Sequence, residues 1–340
     1  KSTLSSKENW STLKYLDTGN ITENQIDTLQ IFQKGEKLPS RAKRKVEKGT
    51  IIYSTVRPNQ KHFGYFDTYS DDLVVSTGFA TLDVIDPRVN SKYLYYLLTQ
   101  NSVISQLQSI GENSTSSYPS IRPEDIGNLS FMFPDIDIQN KIADILTSID
   151  KKIQINNQIN QELEAMAKTL YDYWFVQFDF PDQNGKPYKS SGGKMVYHPE
   201  LKREIPEGWG VEKLGELIQL ERGVTYAKSD IVEKTTKDAI GVLRATNITG
   251  NVMDLNDLVY LPKDKINNKQ IIKQNETLIV MSSGSKEHLG KNAINYYEEV
   301  IGFGAFCSKI VPQKYSNYIN TFLQSTEFKG YLLKHQWEQI

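Results

Sequence analysis

Apolar residues recur through the middle of the chain at Ile142, Ile145, Ile149, Ile159, Leu163, Met166 and Leu170. These are a and d slots of a heptad, within a stretch from Gln139 to Trp174 that reads as one helix. Asn156 falls at an interior a slot and Lys152 at a d slot; a polar residue in such a seam fixes register or orientation at a cost in stability. At ~1.5 Å per residue the helix spans about 54 Å, the length of roughly 16 base pairs of duplex. Few globular helices run so far, so the stripe predicts a coiled-coil partner in preference to packing on its own globule. A helix of this kind works as a ruler between whatever lies on either side.

On both sides the pattern shifts to short alternating or continuous apolar runs. Thr50 to Val56 (TIIYSTV) and Leu73 to Thr77 are rich in β-branched and aromatic residues and predict strands. Ser91 to Gln108 reads as one amphipathic helix with Tyr93, Leu94, Leu97, Leu98 and Ile104 on its apolar side. Pro134 marks the break before the long helix. After Trp174, the aromatic run through Phe178 and Phe180 gives way to a Gly-, Pro- and Ser-rich connection, and Ile205-Pro206-Glu207-Gly208-Trp209 opens a second globule.

That second globule repeats the order of the first. Asn20-Ile21-Thr22 has a counterpart in Asn247-Ile248-Thr249, and Gly49-Thr50-Ile51-Ile52 in Glu276-Thr277-Leu278-Ile279. His62-Phe63-Gly64 aligns with His288-Leu289-Gly290, Gly78-Phe79-Ala80 loosely with Gly304-Ala305-Phe306, and Tyr93 with Leu97-Leu98 aligns with Tyr318 and Phe322-Leu323. All these pairs are separated by nearly one interval, about 226 residues, so a duplicated domain is the economical account. The tail of the first copy, from Tyr118 through Pro134, leads into the long helix, whereas the second copy stops at Ile340 before an equivalent tail. A second long helix is therefore expected in the natural protein, and both ends of this sequence read as cut.

Composition narrows the class. The 340 residues suffice for two domains with separate cores, at 38% hydrophobic and 24% charged. No run approaches a membrane span, and a cytoplasmic location is the expectation. Cys307 is the only cysteine, which excludes an intrachain disulfide and a cysteine-based zinc site. His62, His198, His288 and His335 are scattered, so no metal cluster is suggested.

The net charge of −1 hides a basic stretch: Lys34, Lys37, Arg41, Lys43, Arg44, Lys45, Lys48, Arg57 and Lys61 stand against Glu36 and Glu47. Asp67, Asp71, Asp72, Asp83 and Asp86 then cancel most of it. A local positive face on a neutral domain suits a DNA reader, because phosphate contacts act within a Debye length. Arg41, Lys43, Arg44, Lys45 and Lys48 are the candidates for phosphate neutralisation; a solvated basic loop is the bland alternative.

No Asn-Pro-Pro-Tyr base pocket, Gly-x-Gly dinucleotide loop or His-Glu-x-x-His is found, so no catalytic residue, metal or cofactor is expected in this chain. Gly284 to Asn292 approximates a phosphate loop, but its spacing is one residue too long and Asn292 replaces the Ser or Thr that would hold Mg²⁺. The same loop has the donors of a base reader in Ser283, Ser285, Lys286, His288 and Lys291. Its counterpart after Ser54 offers Arg57, Asn59, Gln60, Lys61 and His62; Arg and Lys suit guanine, Asn and Gln adenine. An ordinary polar hairpin is the alternative for any one of them. The aromatic cluster Tyr171, Tyr173, Trp174, Phe175 and Phe178 reads as packing of the helix end on the second domain, ahead of a docking patch for a partner.

The order of parts resembles the specificity subunit of type I restriction–modification systems. The residues that carry the resemblance are 137 to 146 (DIQNKIADIL), 163 to 175 (LEAMAKTLYDYWF), 185 to 193 (GKPYKSSGG) and 205 to 209 (IPEGW). It implies an α+β fold with two similar mixed α/β target-recognition domains, residues 1–138 and 209–340, a coiled-coil-forming spacer helix at 139–176 and a linker at 177–208. It also implies that each domain reads half of a split target in double-stranded DNA and that the helix sets the gap. DNA-methyltransferase (modification) subunits and a restriction endonuclease subunit would be the partners. Those partners would bind S-adenosylmethionine and ATP and carry out adenine methylation and cleavage. Self-association through the spacer helix is expected while its partner helix is absent. The alternative from another class is a coiled-coil scaffold that joins protein partners and touches no DNA; it predicts no shared basic face, whereas recognition predicts one on both globules.

Overall fold

The computed structural model describes residues 3–5, 8–68, 70–114, 118–284 and 288–335. The chain divides into two compact units, 1–158 and 159–340.

The first unit opens with β1 (Thr12–Leu16), a tight hairpin of β2 (Ile21–Thr22) and β3 (Gln25–Ile26), β4 (Gln30–Gln33) and β5 (Ala42–Lys45). It continues through β6 (Ile51–Ser54), β7 (Phe63–Tyr65), β8 (Leu73–Ser76) and β9 (Phe79–Leu82) into α1 (Ser91–Leu98), α2 (Asn101–Glu112) and α3 (Pro123–Gly127). One sheet has the order β4-β1-β8-β5, with β1 and β8 parallel, and the other the order β7-β6-β9. Every residue of β6 and β8 is buried, which is why both read as continuous apolar runs with no polar alternation. Alternation appears instead in what each face meets. Ile52 packs with Leu16, Val75 and Phe79 on the first sheet's side, while Ile51 and Tyr53 pack with Tyr95, Leu98 and Leu107 of the helices. The unit is thus layered sheet, sheet, helices.

The second unit repeats this plan strand for strand. After a short connection come β10 (Met195–His198), β11 (Arg203–Pro206), α5 (Leu214–Leu217) and β12 (Ile218–Arg222). The repeat itself is β13 (Ala239–Leu243), β14 (Ile248–Thr249), β15 (Val252–Met253), β16 (Val259–Pro262), β17 (Ile271–Ile272), β18 (Thr277–Val280), β19 (Asn292–Ile294), β20 (Ile301–Phe303) and β21 (Cys307–Pro312), then α6 (Ser316–Gln324) and α7 (Thr326–His335). The sheets run β16-β13-β20-β17 and β12-β21-β18-β19, and β13 pairs in parallel with β20 as β1 does with β8. Leu16 and Leu243, Ile21 and Ile248, and Ile52 and Ile279 are buried at matching places. The sequence repeat is therefore a repeat of fold.

β12 has no equivalent among the described residues of the first unit, and it brings a buried charge with it. Lys309 Nζ lies 3.5 Å from Glu221, 3.2 Å from Glu276 and 3.0 Å from the Ile271 carbonyl, with its side chain 4% exposed. Two carboxylates and a carbonyl meet the ammonium's three donors, which makes its burial tolerable.

Between the repeats stands α4 (Ile136–Tyr171), with no Gly or Pro in it. Asp135 occupies the N-cap position, its carbonyl accepting from Gln139 N at 3.0 Å. The end is a π-turn over Asp172–Val176, closed by Gln177 N on the Asp172 carbonyl. The helix therefore starts and stops about one turn earlier than the seam pattern alone suggests.

Two expectations are corrected. The segment from Ser91 to Gln108 is two helices, not one, broken at Gln100, whose backbone is extended. Thr99 Oγ1 turns back on the Tyr95 carbonyl, a local bond that competes with helix continuation. The second repeat breaks at the same place, where Ser325 Oγ accepts from Phe328 N at 3.2 Å and starts α7. The Gly- and Ser-rich connection after the long helix also contains the β10–β11 hairpin, which composition hid.

Candidate nucleic-acid interface

In each unit a polar loop leaves the end of a fully buried strand. After β6, Ser54 Oγ closes a turn on the Val56 backbone. Arg57 N then donates to the Pro119 carbonyl at 2.9 Å, and Ile121 N to the Thr55 carbonyl at 2.8 Å. Residues 119–121 thus clamp the loop from one side. From the other, Gln108 on α2 accepts from Asn59 N at 3.2 Å. Arg57 and Lys61 both take left-handed backbone, flanking a tight 3-10 turn over Pro58–Gln60. The clamped turn holds Arg57, Asn59 and Gln60 out to solvent.

The remaining two candidates of this loop are engaged locally. Lys61 Nζ pairs with Glu23 at 2.5 Å, and His62 Nδ1 lies 2.6 Å from the Ile21 carbonyl. A carbonyl can only accept, so Nδ1 carries the proton there. Both side chains fasten the loop to the β2–β3 hairpin. That hairpin turns through Glu23 and Asn24 in left-handed conformation, and Asn24 Oδ1 accepts from Tyr65 N at 2.8 Å.

In the second unit, Met281 N and Ser282 N both donate to the Phe306 carbonyl as the chain leaves β18. Ser283 is exposed, whereas the candidates Ser285 and Lys286 lie outside the described residues. His288 and Lys291 are half-buried and face each other, Lys291 Nζ donating to His288 Nδ1 at 3.2 Å. Gly290 has a φ of +77°, and a Cβ there would sit 2.2 Å from Leu332. The loop's return is therefore fixed by a glycine.

Strand register corrects two pairings between the copies: Phe79 corresponds to Phe306, not Ala305, and the histidines are displaced. Ile52 pairs with Gly64, and Ile279 with Asn292, so Gly64 corresponds to Asn292 and His62 to Gly290. His62 and His288 are not structural equivalents. The loop between the paired strands is one residue longer in the second copy, which a short sequence match steps over.

The basic candidates split by environment. Arg41, Lys43 and Lys48 are exposed on or beside β5, at the edge of its sheet. Lys45 is neutralised by Glu8 at 2.5 Å, and the Lys45 ammonium holds the Glu8 carboxyl below its ordinary pKa. Arg44 is half-buried, with Nη1 shut off from solvent. In the second unit the matching connection, between β16 and β17, carries Lys263, Lys265 and Lys269, with Lys273 just past β17, all exposed. Only Lys265 is closely paired, with Asp230 at 2.9 Å; Lys269 is 3.8 Å from Glu221. On the equivalent β4–β5 connection of the first unit Lys34, Lys37 and Arg41 are exposed, so both copies present cations on the same connection.

Sequence reasoning missed three features of these surfaces. Arg122, with its side chain 79% exposed, sits next to the residues that clamp the Arg57 loop. Met281 and Phe306 are exposed beside Ser282, although register matches Phe306 to the fully buried Phe79. The Glu23-Asn24 turn gave no Asn-Gly signal.

Along α4 the seam candidates lie open. Ile145, Ile149, Ile159, Leu163, Met166 and Leu170 are 46–61% exposed, Asn156 is exposed, and only Ile142 is half-buried. Ile153 and Ile155, outside the a and d slots, are exposed too. The aromatic cluster at the helix end is packing: Tyr171 and Phe178 are buried, and Phe175 lies between Tyr318 at 4.8 Å and Trp209 at 6.0 Å. Among the described residues no helix is long and apolar enough to cross a membrane, and no group of metal-binding side chains is found.

Residues 1–165 match the family described as the Type I restriction modification DNA specificity domain. The Type I restriction enzyme HindI specificity subunit of Haemophilus influenzae is 36% identical over 190 residues, 55% of this chain and 40% of that protein. The MjaIX specificity subunit of Methanocaldococcus jannaschii is 30% identical over 227 residues, 66% of this chain and 46% of that protein. The chain thus spans less than half the length of these relatives. A crystal structure of an HsdS subunit from Thermoanaerobacter tengcongensis aligns over 92% of this chain and 74% of that chain, at 16% identity and a TM-score of 0.38.

Proposed function

We propose that this chain, which belongs through residues 1–165 to the type I restriction–modification specificity family, recognises a split sequence in double-stranded DNA, one half with each unit. The recognition domains are taken as residues 1–138 and 209–340, with the helix at 139–176 setting the gap and 177–208 linking it to the second reader. The observation that carries this reading is the duplicated fold with exposed cations on the same connection in both copies. A basic connection supplies sequence-independent phosphate contacts, and the polar loop beside the central strand supplies base readout. A scaffold joining only proteins has no need of a cationic surface placed twice on one fold.

The chain itself carries no reaction step in this proposal. DNA-methyltransferase subunits, with S-adenosylmethionine, would methylate adenine, and a restriction endonuclease subunit, with ATP, would cleave, in the cytoplasm. The test is to map adenine methylation genome-wide after co-expression with a partner methyltransferase subunit. A two-part motif with a constant gap is expected, and it should vanish when this chain is omitted. Methylation that is unchanged by the omission, or a motif without a gap, overturns the proposal.

A further inference from the structure

Gln139 is 1% exposed, a buried polar residue in the first turns of the long helix, one turn before the buried Ala143. Its Oε1 accepts from Asn90 N at 2.9 Å, and its Nε2 donates to the Arg88 carbonyl at 3.0 Å and the Pro134 carbonyl at 2.7 Å. One amide thus ties the loop before α1, the segment entering α4 and the helix itself. Next to it, Asn90 Nδ2 donates to Asn140 Oδ1 at 2.7 Å, while Asn90 Oδ1 caps α1 by accepting from Tyr93 N. Further along, Tyr96 OH donates to Asp150 at 2.7 Å. These two attachments lie about 16 Å apart along the helix axis, and two points fix a direction.

Beyond Asp150 every residue of the helix up to Leu170 is exposed. The free length from Asp150 to Tyr171 is about 32 Å, so a tilt of roughly 10° at the root moves the far end by about 6 Å. One base-pair step is only about 3.4 Å. Small looseness at the root is therefore magnified into more than a base pair at the tip.

We propose that Gln139, with Tyr96 as its second brace, is a positioning residue that fixes the direction in which α4 leaves the first unit and thereby the gap length accepted between the two half-sites. The inference rests on the bipartite-reading proposal above. It goes further by assigning gap selectivity to a buried hydrogen-bond junction as well as to helix length.

The test uses the full chain assembled with its methyltransferase partner. Methylation is measured on duplexes carrying both half-sites at the mapped gap and at gaps one base pair longer and shorter, and binding is measured on a duplex carrying the first half-site alone. Gln139→Met keeps the side-chain length and removes all three bonds. Its preference for the mapped gap should fall by about tenfold, with binding to the single half-site unchanged. Tyr96→Phe, which removes one hydroxyl without opening the core, should relax the preference by a smaller factor, and it carries the test if Gln139→Met does not fold. Wild-type gap preference in the folded variants overturns the role of the junction. A wild-type complex that methylates single half-sites as well as paired ones overturns the bipartite reading, and this inference with it.

Discussion

Tyr171 and Tyr318 stack with ring centroids 5.9 Å apart and planes 29° from parallel, so the last turn of the long helix is seated on α6 of the second unit. Tyr318 is the third residue of α6 and so corresponds to Tyr93, the third residue of α1. That helix's cap residue, Asn90, receives the start of the same long helix in the first unit. The duplicated fold thus offers one and the same helix to each end of α4. Tyr171 is 4% exposed, and burial followed by its hydrogen bond to Tyr318 raises its hydroxyl pKa above the ordinary value, keeping it protonated.

Replacing Tyr171 with Ala should destabilise the second unit by about 3 kcal/mol, from the aromatic burial removed and the cavity left behind. Tyr171→Phe should cost about 1 kcal/mol, since only the hydroxyl's bond is removed. Urea unfolding of both variants checks this; equal losses would show that the hydroxyl, not the ring, holds the joint.

Salt dependence of DNA binding separates the exposed cations from the paired one. Changing Arg41, Lys43 and Lys48 to Ala should flatten the log–log salt slope by about 0.9 for each phosphate no longer neutralised. Lys45→Ala should change it less, because Glu8 already neutralises that ammonium. A slope unchanged after replacing Arg41, Lys43, Arg44, Lys45 and Lys48 together would remove this edge from the interface.

The open stripe on α4 should make the chain self-associate in a concentration-dependent way, visible by sedimentation. Leu163→Glu places a charge in the seam and should weaken association by about tenfold or more, whereas Asn156→Leu should tighten it while loosening its register. A wild-type monomer at high concentration, with the helix intact by circular dichroism, argues against a coiled-coil seam.

Cys307 reports on the second unit's core. Burial pushes its thiol up to about 12. A raised folded-state pKa means the native thiol holds its proton where the unfolded one has released it, so this contribution to stability is complete below the ordinary thiol pKa. It declines as pH rises from there towards about 12. Iodoacetamide at pH near 8 should therefore leave the native protein almost unlabelled and label it rapidly in denaturant. Fast native labelling would show that the β18–β21 core opens locally.

The sequence by itself determined the elements whose signal is local and the repeat that spans them. The heptad spacing and the absence of Gly and Pro from 136 to 171 are properties of one segment, and a helix needs no distant partner to show them. Ile21 with Ile248, and Thr50 with Thr277, mark the duplication because buried strands tolerate few residue types at fixed places. Which loops leave the central strands was legible for the same reason. What those loops do with their side chains was not. Only the tertiary structure could commit Lys61 to Glu23 and Lys45 to Glu8, shift His288 out of register with His62, or bury Gln139 among the carbonyls of Arg88 and Pro134 and the amide of Asn90. Apart from the Gln139 bond to Pro134, five positions away, each of these depends on groups far apart in the chain. A polar residue's sequence neighbours do not say whether its partner will be water, DNA or a backbone atom fifty positions away.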